Sequence, residues 1–311
     1  FKQINPKIEI LATAKGIELV KSFYKVSDGL RAVKSGDKLD LGDGIELAFE
    51  EIPNVHWPET MVTFEPKSGV LFSCDAFGSY GRLGNRVFDD EYYAEDHALF
   101  EEESLRYYAN IVASFSLFVK KAIDKIKNLD IKVIAPSHGL IWRDKPQTII
   151  DRYLKYANYM EGPQEKEICV VWGSMYGNTR NALEALLQGI EDELVPYSIH
   201  RVPNEDVSFV LADAYKSAGI VIAMPTYEYK MFPPMAYVLN MFERKHVWNR
   251  KAMRIGSWGW VGGAKKEYEA AIAPLKWDCM ESVEWAGAAD DATLQMLRQR
   301  GREFARAIKA L

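Results

Sequence analysis

Two rhythms of apolar residues divide the chain. In the C-terminal half, short unbroken apolar runs alternate with stretches whose apolar residues recur at helical spacing. Ile168 to Trp172 (ICVVW) is one such run, with the character of a strand covered on both faces. Behind it, Ala182, Leu183, Leu186, Leu187, Ile190 and Leu194 fall on one side of a helix. Further strands are expected at Ser198–Val202, Gly219–Met224, Met253–Ser257 and Val283–Ala286, with a closing helix over Thr293–Leu311. Alternating strands and helices predict an α/β domain built on a doubly wound parallel sheet. Such sheets bind ligands beyond the C-terminal strand ends, near the point where strand order reverses.

The N-terminal half has another pattern. Apolar strands are expected at Ile45–Ile52, Met61–Glu65, Val70–Cys74 and Val133–Pro136, with one long helical stretch over Glu91–Leu129. Turn signals such as Asp43-Gly44 and Lys67-Ser68-Gly69 separate the strands, so this half reads as mixed α+β. The polar segment Asn158–Glu167, with its Gly-Pro, marks a boundary between domains at 1–160 and 165–311. The chain opens at Phe1 with a strand-like segment at Lys7–Thr13, as if it began inside a domain.

Bulk composition narrows the function. The 311 residues have a net charge of -5 and no basic stripe, so no nucleic-acid partner is expected. No apolar run reaches the length of a membrane span, and a cytoplasmic setting fits the three scattered cysteines, Cys74, Cys169 and Cys279. Three cysteines also leave no four-cysteine iron module in these residues.

The chemistry of the C-terminal half lies in three loops. The first strand runs into Gly173, Ser174, Met175, Tyr176, Gly177, Asn178 and Thr179, and then into a helix. Hydroxyl, amide and backbone N–H donors at a helix N-terminus form a cradle for a phosphate. There is no GxxxxGK and no GxGxxG, which argues against a triphosphate or a dinucleotide and for a monoester such as that of FMN. An ordinary turn with a capping Thr179 has the same composition, so the other two loops carry weight. The third strand ends in Pro225, Thr226, Tyr227, Glu228 and Tyr229; the fourth ends in Ser257, Trp258, Gly259, Trp260, Val261, Gly262, Gly263 and Ala264. Tyr227, Trp258 and Trp260 can wall a flat apolar ring, and the glycines allow close backbone approach.

The N-terminal half offers three short stretches, around His56, Asp75 and His138, each with one N or O donor at or just past an apolar strand. Two imidazoles and a carboxylate from separate strand ends suit a hard or borderline metal. A lone histidine is more often an ordinary core or surface residue, and His97 on its acidic helix is read that way.

The stretches SMYGNT, PTY and SWGWVGGA resemble the FMN loops of flavodoxins, and in particular those of flavodiiron proteins. The resemblance covers almost the whole chain, with the domains in family order. It implies a flavodoxin-like sheet preceded by an incomplete metallo-β-lactamase-like αββα domain. It also implies that His56 and His138 each hold one of two iron ions while Asp75 bridges them. The implied activity is reduction of O2 to water or NO to N2O by electrons relayed through FMN. The donor would be external: rubredoxin, an NAD(P)H reductase or reduced deazaflavin F420. A head-to-tail homodimer is implied as well.

Two departures stand out. The family often has two Asn where this chain has Glu228-Tyr229, and its upstream HxExDH ligand motif is absent from these residues. The metal centre would then need an upstream segment or another chain, or the metal function is lost. The alternatives to a flavodiiron oxidoreductase are an FMN electron carrier whose lactamase-like domain is a metal-free scaffold for a partner, and a lactamase-fold hydrolase, in which the flavin loops have no role.

Overall fold

The structure is a computed structural model describing residues 1–311, with the backbone alone described at residue 94. The chain forms two compact units, Phe1–Ala157 and Asn158–Leu311.

In the first unit, β1 (Ile10–Ala12) is followed by α1 (Ala14–Tyr24), and β2 (Leu30–Ala32) pairs with β1 in parallel. The apolar run at the start of the chain thus yields a strand of three residues and then a helix. The helix starts where Thr13 caps it, its hydroxyl accepting the Gly16 N–H at 3.0 Å. Strands β3 (Lys38–Gly42), β4 (Ile45–Glu51), β5 (Met61–Glu65), β6 (Val70–Cys74) and β7 (Val133–Pro136) form one sheet in that order. The first four are antiparallel neighbours, and β7 joins β6 in parallel.

The helical stretch between β6 and β7 is not one rod. It comprises α2 (Ala94–Tyr107), a π turn over Tyr108–Val112, a 3-10 turn and α3 (Ser116–Ile126). Tyr108 and Val112 are buried there, and the Tyr108 hydroxyl lies 3.0 Å from Ser116 Oγ, so the break packs the two helices on one core. α4 (Pro146–Tyr159) closes the unit. Buried Asp89 holds the approach to α4 by accepting the backbone N–H groups of Arg143, Asp144 and Lys145 at 2.8–3.1 Å.

The two faces of β6 differ. Leu71 and Ser73 are buried, whereas Phe72 on the opposite face is 50% exposed, as period-two alternation dictates.

The second unit runs β8 (Glu165–Trp172), α5 (Asn178–Glu191), β9 (Tyr197–Arg201), α6 (Val207–Lys216), β10 (Ser217–Ala223), the short hairpin β11 (Thr226–Tyr227) and β12 (Lys230–Met231), α7 (Pro233–Arg244), β13 (Lys251–Trp258), α8 (Ala264–Ile272), β14 (Asp278–Cys279), β15 (Val283–Ala286) and α9 (Asp291–Lys309). The parallel sheet has β8 between β9 and β10, then β13, which pairs with both β14 and β15. Leaving out two-residue β14, the order is 2-1-3-4-5, the flavodoxin order. Chain direction reverses its march between β8 and β10, and the crevice for a ligand opens there.

Central strands β8 and β10 are buried on both faces, which is why they read as continuous apolar runs. One face packs on Ala182, Leu183, Leu186 and Ile190 of α5 and on Leu297, Phe304, Ala305 and Ile308 of α9. These helices meet backbone to backbone: a Cβ at Gly189 would run into the Arg298 carbonyl, and one at Gly301 into the Leu186 carbonyl.

Candidate functional site: a flavin cleft and a His-Asp-His cluster

At the C-terminal ends of β8, β10 and β13 the three loops surround an open cleft of about 240 Å³. It is lined by the polar Ser174, Asn178, Thr226, Glu228 and Ser257 and by Met175, Tyr176, Pro225, Tyr227, Trp258, Gly259 and Trp260. Side-chain bonds tie the loops together. Thr179, fully buried, lies 2.9 Å from Ser257 across the first and third loops. The Ala264 N–H reaches the Thr226 hydroxyl at 3.4 Å across the second and third, and the Met231 N–H donates to Glu267 Oε2 at 2.6 Å. Gly263 sits where any Cβ would strike the Tyr229 carbonyl, so at this point the hairpin and the third loop meet backbone to backbone.

The cradle suits a phosphate. Gly177 begins α5 at φ 90°, in the left-handed region open to glycine, and contributes no side-chain cap. Its own N–H donates to Ser174 Oγ at 3.0 Å, which fixes the turn. A helix of 14 residues therefore meets the cleft with its positive end and without a capping side chain at Gly177. The rim suits a flat ring. Met175, Tyr176, Tyr227, Tyr229, Trp260 and Val261 are exposed around one cleft, Trp260 at 74%, and Tyr229 meets Trp260 edge to face at 6.4 Å.

Of the loop residues singled out in the sequence, Gly177, Thr179, Gly262, Gly263 and Ala264 do not line the cleft. They shape the loops that do. Glu228 lines it too; the sequence places it in the second loop, where the family often has Asn, without a cofactor-binding role.

In the first unit His56, Asp75 and His138 come together. His56 Nε2 lies 3.3 Å from Asp75 Oδ2, and His138 Nε2 lies 3.7 Å from Asp75 Oδ1. Each imidazole faces its own carboxylate oxygen, an arrangement suited to a bridging carboxylate with one histidine on either side. Among the described residues no three His, Cys, Asp or Glu side chains already converge so as to hold one metal ion. His138 Nδ1 is 3.1 Å from the Ser79 carbonyl. A carbonyl only accepts, so Nδ1 is the donor here and Nε2 is the ring nitrogen turned toward Asp75. Gly78 leaves the room this ring needs, and Tyr107 packs edge-on to it at 4.8 Å.

The hydrogen bond with His56 holds the Asp75 carboxyl below the usual carboxylate range, against the opposing effect of burial. Burial, then the Asp75 charge, push the Tyr107 phenol well up, and its buried hydroxyl has no hydrogen-bond partner among the described residues. Sequence reading missed Tyr107, which sits inside an unremarkable helical pattern.

Comparison with known proteins gives both halves a context. Residues 1–139 match the model of the ODP family beta lactamase. The anaerobic nitric oxide reductase flavorubredoxin of Vibrio vulnificus is 33% identical over 306 residues, covering 97% of this chain and 60% of the relative. Its namesake in Aeromonas salmonicida is 35% identical over 306 residues, covering 97% of this chain and 57% of the relative. The chain thus spans about three fifths of the length of these curated relatives.

The flavodiiron protein of Giardia intestinalis superposes with a TM-score of 0.90 at 26% identity, over 96% of this chain and 73% of that one. The rubredoxin oxygen:oxidoreductase of Desulfovibrio gigas shares the fold with the same TM-score of 0.90 at 24% identity, over 97% of this chain and 75% of that one. With the 2-1-3-4-5 sheet, the three tied loops and the His-Asp-His cluster, the chain is similar along almost its whole length to flavorubredoxins and flavodiiron proteins.

Proposed function

We propose that this chain is the flavin-binding and part of the metal-binding machinery of a flavodiiron-type oxidoreductase, which passes electrons from an external donor through FMN to a diiron site. The observation that carries the reading is the cleft: three strand-end loops, bonded to one another, between a helix N-terminus and an aromatic rim. Ser174, Asn178 and the first N–H groups of α5 would hold the phosphate. Trp258, Trp260 and Tyr227 would flank the ring and keep water from its faces. FMN bound there supplies one- and two-electron transfer.

In the other unit His56 and His138 would each hold one iron ion and Asp75 would join the two. The pair of ions would be the place where electrons from the external donor, relayed through FMN, reduce O2 to two waters with four electrons and four protons, or two NO to N2O and one water with two electrons and two protons. The Ser79 carbonyl occupies His138 Nδ1, so Nε2 would be the nitrogen that holds the metal. The named activities of relatives with nitric oxide and with oxygen support both substrates. Rubredoxin, an NAD(P)H reductase and reduced deazaflavin F420 are the candidate donors. Head-to-tail pairing of two copies would bring the flavin of one to the metal of the other, and a closed two-fold is the simplest symmetry for it.

One observation favours a second reading, an FMN carrier with a metal-free scaffold domain: Asp75 already contacts both imidazoles directly. Two measurements decide. Acid-released flavin should co-elute with FMN, and a chain that takes up no flavin on reconstitution overturns both readings. Iron bound at a loading that falls in Asp75→Asn supports the first reading. Three ligands leave two ions underfilled, so less than two irons per chain is expected from these residues alone. No iron, with full FMN, supports the second reading.

A further inference from the structure

The flavin cleft contains a single charge. Among the described residues that line it, Glu228 is the one acidic or basic side chain; the others are hydroxyl, amide, thioether, aromatic, proline or glycine residues. No lysine or arginine lines the cleft to offset it.

The carboxylate is also carried on an unusual backbone. Glu228 and Tyr229 form the turn between β11 and β12 at φ 44° and 68°. That region is costly for residues other than Gly, Asn and Asp, and Asn-Gly or Gly-Gly would build the same tight turn without a charge. Backbone strain of this kind persists where the surroundings enforce it, and it gathers at functional sites. The surroundings here do enforce it. The Tyr229 carbonyl abuts Gly263, and the Met231 N–H is bonded to Glu267, so the hairpin cannot swing its tip away from the cleft.

We infer that Glu228 sets the redox poise of the flavin, its carboxylate disfavouring the reduced ring relative to the oxidised one. The inference rests on the FMN reading given above. Oxidised isoalloxazine is neutral. On taking up two electrons from the external donor and one proton from solvent, it gains one net negative charge. Like charges repel, and the neutral lining offers no compensating cation, so the carboxylate lowers affinity for the reduced ring more than for the oxidised one. By linkage, each tenfold difference between those affinities moves the two-electron midpoint by about 30 mV. A lower midpoint makes the bound flavin a stronger donor to whatever it reduces next.

The test compares the full chain with Glu228→Gln and Glu228→Asp, each reconstituted with FMN. Oxidised-state affinity is read by quenching of flavin fluorescence. The midpoint is read by dye-equilibrated reduction with dithionite, at mildly alkaline pH and at low and high ionic strength. Glu228→Gln should bind reduced flavin three- to tenfold more tightly relative to oxidised flavin, raising the midpoint by about 15–30 mV. Glu228→Asp should stay close to the wild type. Because exposed charges are screened, the difference should shrink at high salt. FMN binding by both proteins with equal midpoints at low salt overturns the inference and leaves the FMN reading intact, as does a shift that ignores salt. No FMN binding by the wild-type chain overturns both.

Discussion

His200 on β9 offers a prediction whose size follows from geometry. Its side chain is 6% exposed and lies between two carboxylates, with Nε2 2.9 Å from Asp213 and Nδ1 3.0 Å from Glu205. Burial alone would lower the imidazole pKa. The bonds to Asp213, to the Cys169 thiol and to Glu205 outweigh it and push the value up to about 11. Burial likewise opposes the Asp213 charge, yet His200 and Lys216 hold that carboxyl below its ordinary value.

The folded state therefore keeps a proton that an unfolded histidine loses near pH ~6.5. This contribution to stability is complete below the unfolded value and is lost as pH rises toward about 11. One proton contributes at most ~1.4 kcal/mol per pH unit. Asp213 and Glu205 are 27% and 36% exposed, and solvent screening reduces the effect. Between neutral pH and two units above it, the wild type should lose about 1–2 kcal/mol more than His200→Gln, which cannot carry the charge. Urea unfolding followed by circular dichroism at the two pH values reads the difference as a shift in midpoint at constant slope. Parallel pH dependences for the two proteins would refute the buried imidazolium.

Two further outcomes are expected. Trp260→Ala should weaken FMN binding by roughly three- to tenfold, since an aromatic partner contributes about 0.5–1.5 kcal/mol beyond area burial; unchanged affinity in a flavin titration would remove Trp260 from the ring and leave Trp258 as the wall. Asp89→Ala strands three backbone N–H donors ahead of α4 and should cost about 2–4 kcal/mol, which a denaturant midpoint equal to that of the wild type would disprove.

The parallel sheet was legible because its signal is local. A strand buried on both faces has to be apolar throughout, and ICVVW and GIVIAM are; helices between such runs fix the winding. That the three loops would meet was legible for a related reason, since they follow parallel strands that end on one edge of the sheet. Tertiary partners were not legible. Arg254 looks like a surface residue in sequence, but its side chain is fully buried, with Glu284 at 2.9 Å. Arg250 is as deeply buried and donates to the carbonyls of Tyr159 and Tyr215. Asp89, His200 and Tyr107 take their roles from residues far away along the chain. The helix at Ala14–Tyr24 was hidden behind an apolar run, although Thr13 followed three residues later by Gly16 left room for a capped start. The π turn at Tyr108–Val112 answers to packing alone, and no residue there signals a break.

The glycine contact between α5 and α9 bears on how the cofactor comes and goes. α5 presents the phosphate cradle at its first turn and is clamped at Gly189, about 16 Å along its axis. Leu186 and Gly189 meet Arg298 and Gly301 without intervening side chains, so the helix has little freedom to tilt or fray. With α5 held in this way, the cradle is expected to be ordered by the packing of the sheet and its helices without flavin. Uptake then needs no local refolding, and the loss of conformational freedom on binding is confined to the ligand and the rim. A chain that sheds its flavin under stress stays a competent receptor and refills at a rate set by encounter. Amide exchange along α5 should accordingly be as slow without flavin as with it.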